Sequence, residues 1–460
     1  MKKLSSWMLA LTFVLALSSC SNKQSGNASV STFDSLPYPD WVKNAVIYEV
    51  NVRQYTHEGT FKAFNRSLPR LKELGADILW FMPIYPIGEK DRKGSLGSYY
   101  AIRDYKDVNP EFGTKADFLE TVKKAHELGF KVIIDWVANH TATDNVWVTQ
   151  HPDWYVTDSL GNIVSPFDWT DTYQLNYANP DLINAMIDAM KYWITEFDVD
   201  GFRCDVAGLV PVTFWEKARK ELDAVKPVFM LAEDEEKNEL TENAFDANYG
   251  WELHHTFAAI YKGEKNASDI VALLQKQDSI FPKNSVKMNF LTNHDENSWN
   301  GTVDEKFGTS DKVFAALIYT LPGVPLIYSG QEANCKKRIA FFERDPISWN
   351  DTSLFHFYKD LNFLKHANEA LFNPPYGGEF AVVANDCPEH ILSFVRKGAS
   401  DIIVIANLSA SPVSFTVIDD TALGMYQNLS SSQVSDKITL GKDTPLTLEP
   451  WGYRIWTKAQ

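Results

Sequence analysis

The sequence predicts an α/β protein: a (β/α)8 TIM barrel with a small excursion after the third strand and a C-terminal all-β sandwich. Three observations carry that expectation. Between Tyr38 and Asn373, amphipathic helical stretches alternate with short apolar runs of strand length, the pattern of a parallel sheet covered on its outer face. Several of those runs end in charged residues that a structural strand end would not need, and in barrels of this class that edge carries the site. After Pro374-Pro375 the helical period gives way to short β-patterned runs split by turn residues.

The barrel, expected over 38–373, should place strands at 45–52, 78–82, 131–137, 199–206, 228–233, 287–292 and 324–329. Phe118, Val122, Ala125 and Leu128 fall on one helical face, and Gly129 is placed to end that helix. Further helices are expected over 182–196, 212–225 and 312–320. The stretch 141–177 is too long for a short βα connection and carries Trp147, Trp154, Tyr155, Trp169 and Tyr173, so it reads as an inserted subdomain over the site. Residues 374–460 form the C-terminal module, with strands expected at 391–395, 401–407, 413–418 and 453–456.

At the N-terminus, Lys2 and Lys3 precede an apolar or small run over 7–17, too short for a membrane-crossing helix and suited to a secretory signal. Leu17-Ser18-Ser19-Cys20 resembles the bacterial lipobox. Residues 1–19 are thus expected to be cleaved, Cys20 to be lipidated, and 20–37 to serve as a flexible tether rich in Ser, Asn and Gly. The expected address is the cell envelope by export and lipid anchoring, with Ser21 leaving the outer membrane open. Cys204, Cys335 and Cys387 then remain, widely spaced, with no disulfide framework and no zinc spacing.

Lys and Arg number 44 against 60 Asp and Glu, a net charge of −16. That balance excludes a nucleic-acid surface and a polybasic membrane patch, so any membrane contact should run through the lipid alone. Trp and Tyr, at 14 and 19, are what a carbohydrate-stacking cleft would use. No Walker or Rossmann fingerprint and no Ser elbow appears.

Four segments close strands with chemistry-bearing groups: Asp135-Trp-Val-Ala-Asn139-His140, Asp200-Gly-Phe-Arg203-Cys-Asp205, Phe229-Met-Leu-Ala-Glu233 and Phe290-Leu-Thr-Asn-His294-Asp295. A lone strand-end Asp caps a helix as readily as it catalyses; the ordered set of four is what gives specificity. Breaking an acetal needs a proton for the leaving oxygen and electron density for an oxocarbenium-like carbon. Two carboxyls about 5–5.5 Å apart supply both with retention, one protonated and one ionised.

These segments resemble, in order, the signature regions of the α-amylase family of retaining glycoside hydrolases. The resemblance implies that Asp205 is the nucleophile, Glu233 the general acid/base and Asp295 a third carboxylate that grips sugar hydroxyls. It implies that Arg203 holds Asp205 ionised and that His140 and His294 hydrogen-bond the sugar at the cleavage point; Asp135 is grouped with these substrate-binding residues. Ser98-Tyr-Tyr-Ala-Ile-Arg-Asp-Tyr105 resembles a further family segment in which Tyr100 would stack on that sugar, with Tyr99 the alternative and Ala101 a departure. The family requires no cofactor for catalysis, but many members bind a structural calcium to which Asn139 would contribute. Here Gln174 stands where an Asp ligand would be, which lowers the charge count of such a site.

The function implied is hydrolysis of α-1,4-glucosidic bonds in an α-glucan partner: starch, glycogen or maltooligosaccharides. Two alternatives stay open. One is a transglycosylase, or an enzyme on sucrose, trehalose or isomalto-linkages, with the same fold. The other is a non-catalytic glycan-binding surface lipoprotein.

Overall fold

The computed structural model describes residues 39–458 except 283–284, 430–436 and 443. The expected signal segment, Cys20 and the tether lie outside the described residues. Eight parallel strands close into a barrel: β1 (Ile47–Val50), β2 (Ile78–Phe81), β3 (Lys131–Val137), β4 (Gly201–Asp205), β5 (Phe229–Ala232), β6 (Ala247–Tyr249), β7 (Val286–Asn289) and β8 (Val324–Tyr328), each bonded to the next and β8 to β1. Seven match runs read from the sequence. The strand β6 does not, because its three residues carry Asn248 at the centre and make no apolar run.

Local signals explain the helices. In Lys115–Glu127, Thr114 Oγ1 accepts from the Asp117 N–H at 3.2 Å while Asp117 Oδ2 accepts from the Thr114 N–H at 2.9 Å, a reciprocal cap. Phe118, Val122 and Ala125 are buried on one face, and Gly129 at φ 84° ends the run. Inside the barrel, Ile47, Ile78, Ile133, Leu231, Ala247, Val286 and Val324 pack together. Gly201 needs its missing side chain, since a Cβ there would strike the Phe229 carbonyl of β5.

After β3 the chain leaves the barrel. His140–Ala142 pairs with Thr172–Gln174 as a small antiparallel hairpin enclosing a short helix, Val146–Gln150. Beyond the barrel, six antiparallel strands run in the spatial order Glu379–Val382, Ile391–Lys397, Ile402–Asn407, Tyr453–Lys458, Gly424–Asn428 and Lys437–Leu440. The pair Val413–Phe415 and Leu446–Leu448 covers one face. Alternation along Ile402–Asn407 explains both attachments: Ile403 and Ile405 face the covering pair, while Ile402, Val404 and Ala406 join the main core with the barrel helices. Arg396 ties the two parts, its Nη1 donating 2.9 Å to the Thr320 carbonyl at the end of helix Asp311–Thr320. No helix among the described residues is long and apolar enough to cross a membrane.

Candidate active site

Strand parity builds a polar floor at the upper end of the barrel. Two residues beyond the inward Ile47 stands Glu49; beyond Ile133, Asp135; beyond Gly201, Arg203 and then Asp205; beyond Leu231, Glu233. Side chains two apart on a strand share a face, so these charges converge. Asp135 lies opposite Arg203, Val137 opposite Asp205 and Cys204 opposite Ala232. Asp205 and Glu233 therefore meet on adjoining strand ends.

Arg203 is the hub and is fully buried. Its Nη1 donates to Asp135 Oδ1 at 2.9 Å and Asp205 Oδ1 at 3.1 Å. Its Nη2 lies 2.8 Å from Glu233 Oε1, and Nε donates to the Tyr249 hydroxyl at 3.0 Å. The planar fork holds three carboxyls at once. Beside this ion pair Glu233 accepts a hydrogen bond, from the Val206 N–H to its Oε2 at 2.7 Å. Val206 sits at φ 36°, a left-handed conformation that a β-branched residue keeps only when its surroundings hold it. The turn after Asp205 is thus tied to Glu233.

The sequence expects Arg203 to keep Asp205 ionised. In the structure, burial pushes the Asp205 carboxyl well up, Glu233 adds to that, and Arg203 opposes both without prevailing. Asp205 therefore holds its proton more tightly than an ordinary carboxyl.

His294 crosses the floor. Its Nδ1 is 2.5 Å from Glu49 Oε1, and its Nε2 is 2.8 Å from the Tyr100 hydroxyl and 3.3 Å from Asp295 Oδ2. Burial works against its charge, but Asp295 and Glu49 outweigh burial and push it up to about 9. His140 is the opposite case: burial pushes it down to about 3, leaving it neutral.

Tyr100, His140, Asp205, Glu233 and Asp295 line one cavity of about 470 Å³. Asp295 is the most open of the three acids, its side chain 35% exposed against 11% for Asp205 and 13% for Glu233. Tyr100 rather than Tyr99 reaches the cavity; Tyr99 is buried beneath, its hydroxyl donating to Asn51 Oδ1 at 3.1 Å. Asp135, grouped by the sequence with substrate-binding residues, is not on the wall. It is fully buried, its Oδ2 accepting from the Tyr100 hydroxyl at 3.1 Å and Trp80 Nε1 at 3.2 Å, so it acts through Arg203 and Tyr100. Arg203 and His294 likewise form the floor beneath.

Sequence reading missed Glu49 and the rim. Glu49 had a signal: an acid at inward parity within the apolar run of β1. Trp299, Phe341 and Phe342 also line the cavity, but they sit in a π-turn and a loop, where no periodicity marks them. Trp169 and Asp171 close the excursion side, Asp171 3.1 Å from Lys93 Nζ.

Around Asn139, where the resemblance would place calcium, the chain itself takes up part of the donor set. The Asn139 carbonyl accepts from the Leu175 N–H at 3.1 Å and its amide lies 3.3 Å from His140 Nδ1. Asp171 is paired with a lysine, and no group of three or more His, Cys, Asp or Glu among the described residues could hold a metal.

Comparison with known proteins bears on the fold and the family. The family profile of the alpha amylase catalytic domain matches residues 36–369. The maltogenic alpha-amylase AmyB of Thermotoga neapolitana superposes with a TM-score of 0.83 at 32% identity, covering 91% of this chain and 100% of that one. The alpha-amylase of Lactobacillus plantarum gives 0.80 at 34% identity, covering 91% and 100%. Alpha-amylase MalA of Haloarcula japonica is 28% identical over 400 residues, 82% of this chain but 58% of that longer protein. The chain belongs to the α-amylase family of glycoside hydrolases.

Proposed function

We propose that the protein hydrolyses α-1,4-glucosidic bonds of starch, glycogen or maltooligosaccharides with retention. The observation that carries this reading is the single Arg203 guanidinium gripping both Asp205 and Glu233 at the floor of a cavity that Asp295 also lines. The relatives' names, which include alpha-amylases and cyclomaltodextrinases, support an α-glucan substrate.

In the first step Glu233 gives its proton to the glycosidic oxygen as the C1–O bond breaks, and Asp205 bonds to C1. In the second, water loses a proton to Glu233 and attacks C1, and Asp205 leaves. For this step a proton must sit on Glu233 when the leaving oxygen arrives. Arg203 reaches both carboxyls and stabilises negative charge on either, so it orients the pair and does not choose which of them is ionised. Neutral His140 on the cavity wall can hold a sugar hydroxyl, and His294, charged at neutral pH, can reach one from the floor through Nε2. Asp205→Asn should abolish maltoheptaose hydrolysis, and a variant keeping most of its activity would refute the nucleophile. Glu233→Gln should slow maltoheptaose far more than an activated aryl glucoside; equal losses would move the acid elsewhere.

The ring-lined rim of Trp299, Phe341 and Phe342 favours a second reading, transfer to a sugar acceptor. Products longer than the starting maltoheptaose in a time course would establish it. The lipobox supports export and lipid anchoring: Cys20→Ala should release the protein from the membrane fraction. Gln174 in place of an Asp ligand supports activity without calcium, and loss of maltoheptaose hydrolysis on adding a chelator would overturn that.

A further inference from the structure

The carboxylate of Glu49 has no place in the chemistry above, yet it is fully buried on β1. Its Oε1 meets His294 Nδ1 at 2.5 Å, while its Oε2 has no hydrogen-bond partner. Burying such a group with one oxygen unsatisfied costs stability. An apolar residue would fill the strand better, so the reason for a carboxylate lies in what it does to His294.

We propose that Glu49 is a positioning residue for the reaction: it fixes His294 through Nδ1 so that Nε2–H is presented to Asp295 and the sugar. The inference rests on the hydrolase reading and deepens it. Tyr100 stacks on the His294 ring at 5.4 Å and 19°, and the Trp80 edge lies 6.0 Å away, so the imidazole has one orientation. With Glu49 on Nδ1, that orientation leaves Nε2 toward the cavity.

The charges around His294 come from several elements. Glu49 stands on β1, Asp135 on β3, Arg203 on β4 and Asp295 beside it, with the Tyr100 hydroxyl between. Glu49 and Asp295 favour the imidazolium; burial and Arg203 oppose it. Replace Glu49 by an uncharged isostere and only Asp295 and the more distant Asp135 oppose both. A neutral His294 would keep its proton on Nδ1, facing the new amide oxygen. Its Nε2 would then accept from Tyr100 and could no longer donate to Asp295 or to a sugar hydroxyl. The Tyr100 hydroxyl would leave Asp135, which loosens the contact beside Arg203.

The test uses the full chain labelled with 13Cε1-histidine, the His294 signal being the one lost in His294→Gln. In the wild type it should stay in the protonated position through pH 8. In Glu49→Gln it should titrate about one pH unit lower or more. The same variant should lose about 10–100-fold in kcat at pH 8, the range seen when the group that orients a functional imidazole is removed. That deficit should shrink toward pH 6. Glu49→Asp, which keeps the charge, should keep His294 protonated and recover most of kcat. A His294 titration in Glu49→Gln equal to that of the wild type overturns the proposal. So does a pH-independent loss of kcat, which would mark a packing role. If Glu49→Gln does not fold, Glu49→Asp decides: a protonated His294 with recovered kcat supports the proposal, and a His294 that titrates near neutrality refutes it. The titration needs no substrate, so wild-type inactivity on maltoheptaose would refute the hydrolase reading separately.

Discussion

At the floor of the cleft Arg203, Asp135, Glu49 and His294 are buried and bonded to one another, whereas Trp299 at its rim is 50% exposed, and Phe167, next to the rim residue Trp169, is 71% exposed; both touch their neighbours through ring contacts. The floor is built mainly from strand ends and the rim from the turns and loops beyond them, and the two obey different physics. Low dielectric strengthens every charge contact in the floor and makes each unpaired group costly. The rim keeps its apolar area open to water, where a sugar ring can cover it. The floor should therefore control turnover and its pH dependence, and the rim should control which substrates stay bound.

The largest effect should come from Arg203→Lys. An ammonium is a point charge and cannot reproduce a fork that contacts Asp135, Asp205 and Glu233 together. A loss in kcat of about 10²–10³-fold is expected, the scale of one lost preorganised electrostatic contact. KM should change little, because Arg203 does not reach the cavity wall. Breaking a buried pair also lowers stability, by about 3–5 kcal/mol when a partner goes uncompensated, so calorimetry should accompany kinetics. A KM effect larger than the kcat effect would erase the distinction between floor and rim.

The next sharpening uses pH. Burial pushes His140 and His254 down to about 3, below the unfolded value near 6.5. Between about 3 and 6.5 the unfolded chain binds more protons than the folded one, so stability falls on acidification through that window. His294, pushed up to about 9, has the opposite sign: its contribution is full below about 6.5 and is lost as pH rises through 9. The melting temperature should thus decline at both ends. His140→Gln should flatten the acid side, and His294→Gln the alkaline side. Identical profiles in both variants would show that other groups set the limits.

Much of the floor was legible because strand parity and short spacing are local properties. Arg203 and Asp205 share a face by being two apart, and Glu233 ends an apolar run. What local spacing could not show was pairing across strands. The contacts of Arg203 with Asp135 and Glu233 depend on register, as does the Glu49–His294 contact between β1 and the end of β7. The same limit hid β6, whose three residues are a strand only because β5 and β7 flank them. The rim was least legible. An aromatic in a loop reads the same whether it packs inward, as Trp154 does, or stands open, as Phe167 does.

Phe167 offers the smallest and cleanest separation of binding from folding. It holds φ 55° while its ring stays exposed beside Trp169 at 5.2 Å, a strained backbone presenting an apolar surface to solvent. Phe167→Gly removes the left-handed strain, of order 1–2 kcal/mol, but adds freedom to the unfolded chain, a loss of about 0.4–1 kcal/mol. The two nearly cancel, so the melting temperature should hold or rise slightly. The ring's contribution to a long glucan should vanish, raising KM for maltoheptaose about 2–10-fold, as expected from an aromatic contact of about 0.5–1.5 kcal/mol. Maltotriose, too short to leave the floor, should show little change. If KM is unaffected for both, the strain at Phe167 serves the excursion's own packing, and the rim begins at Trp299 and Trp169 instead.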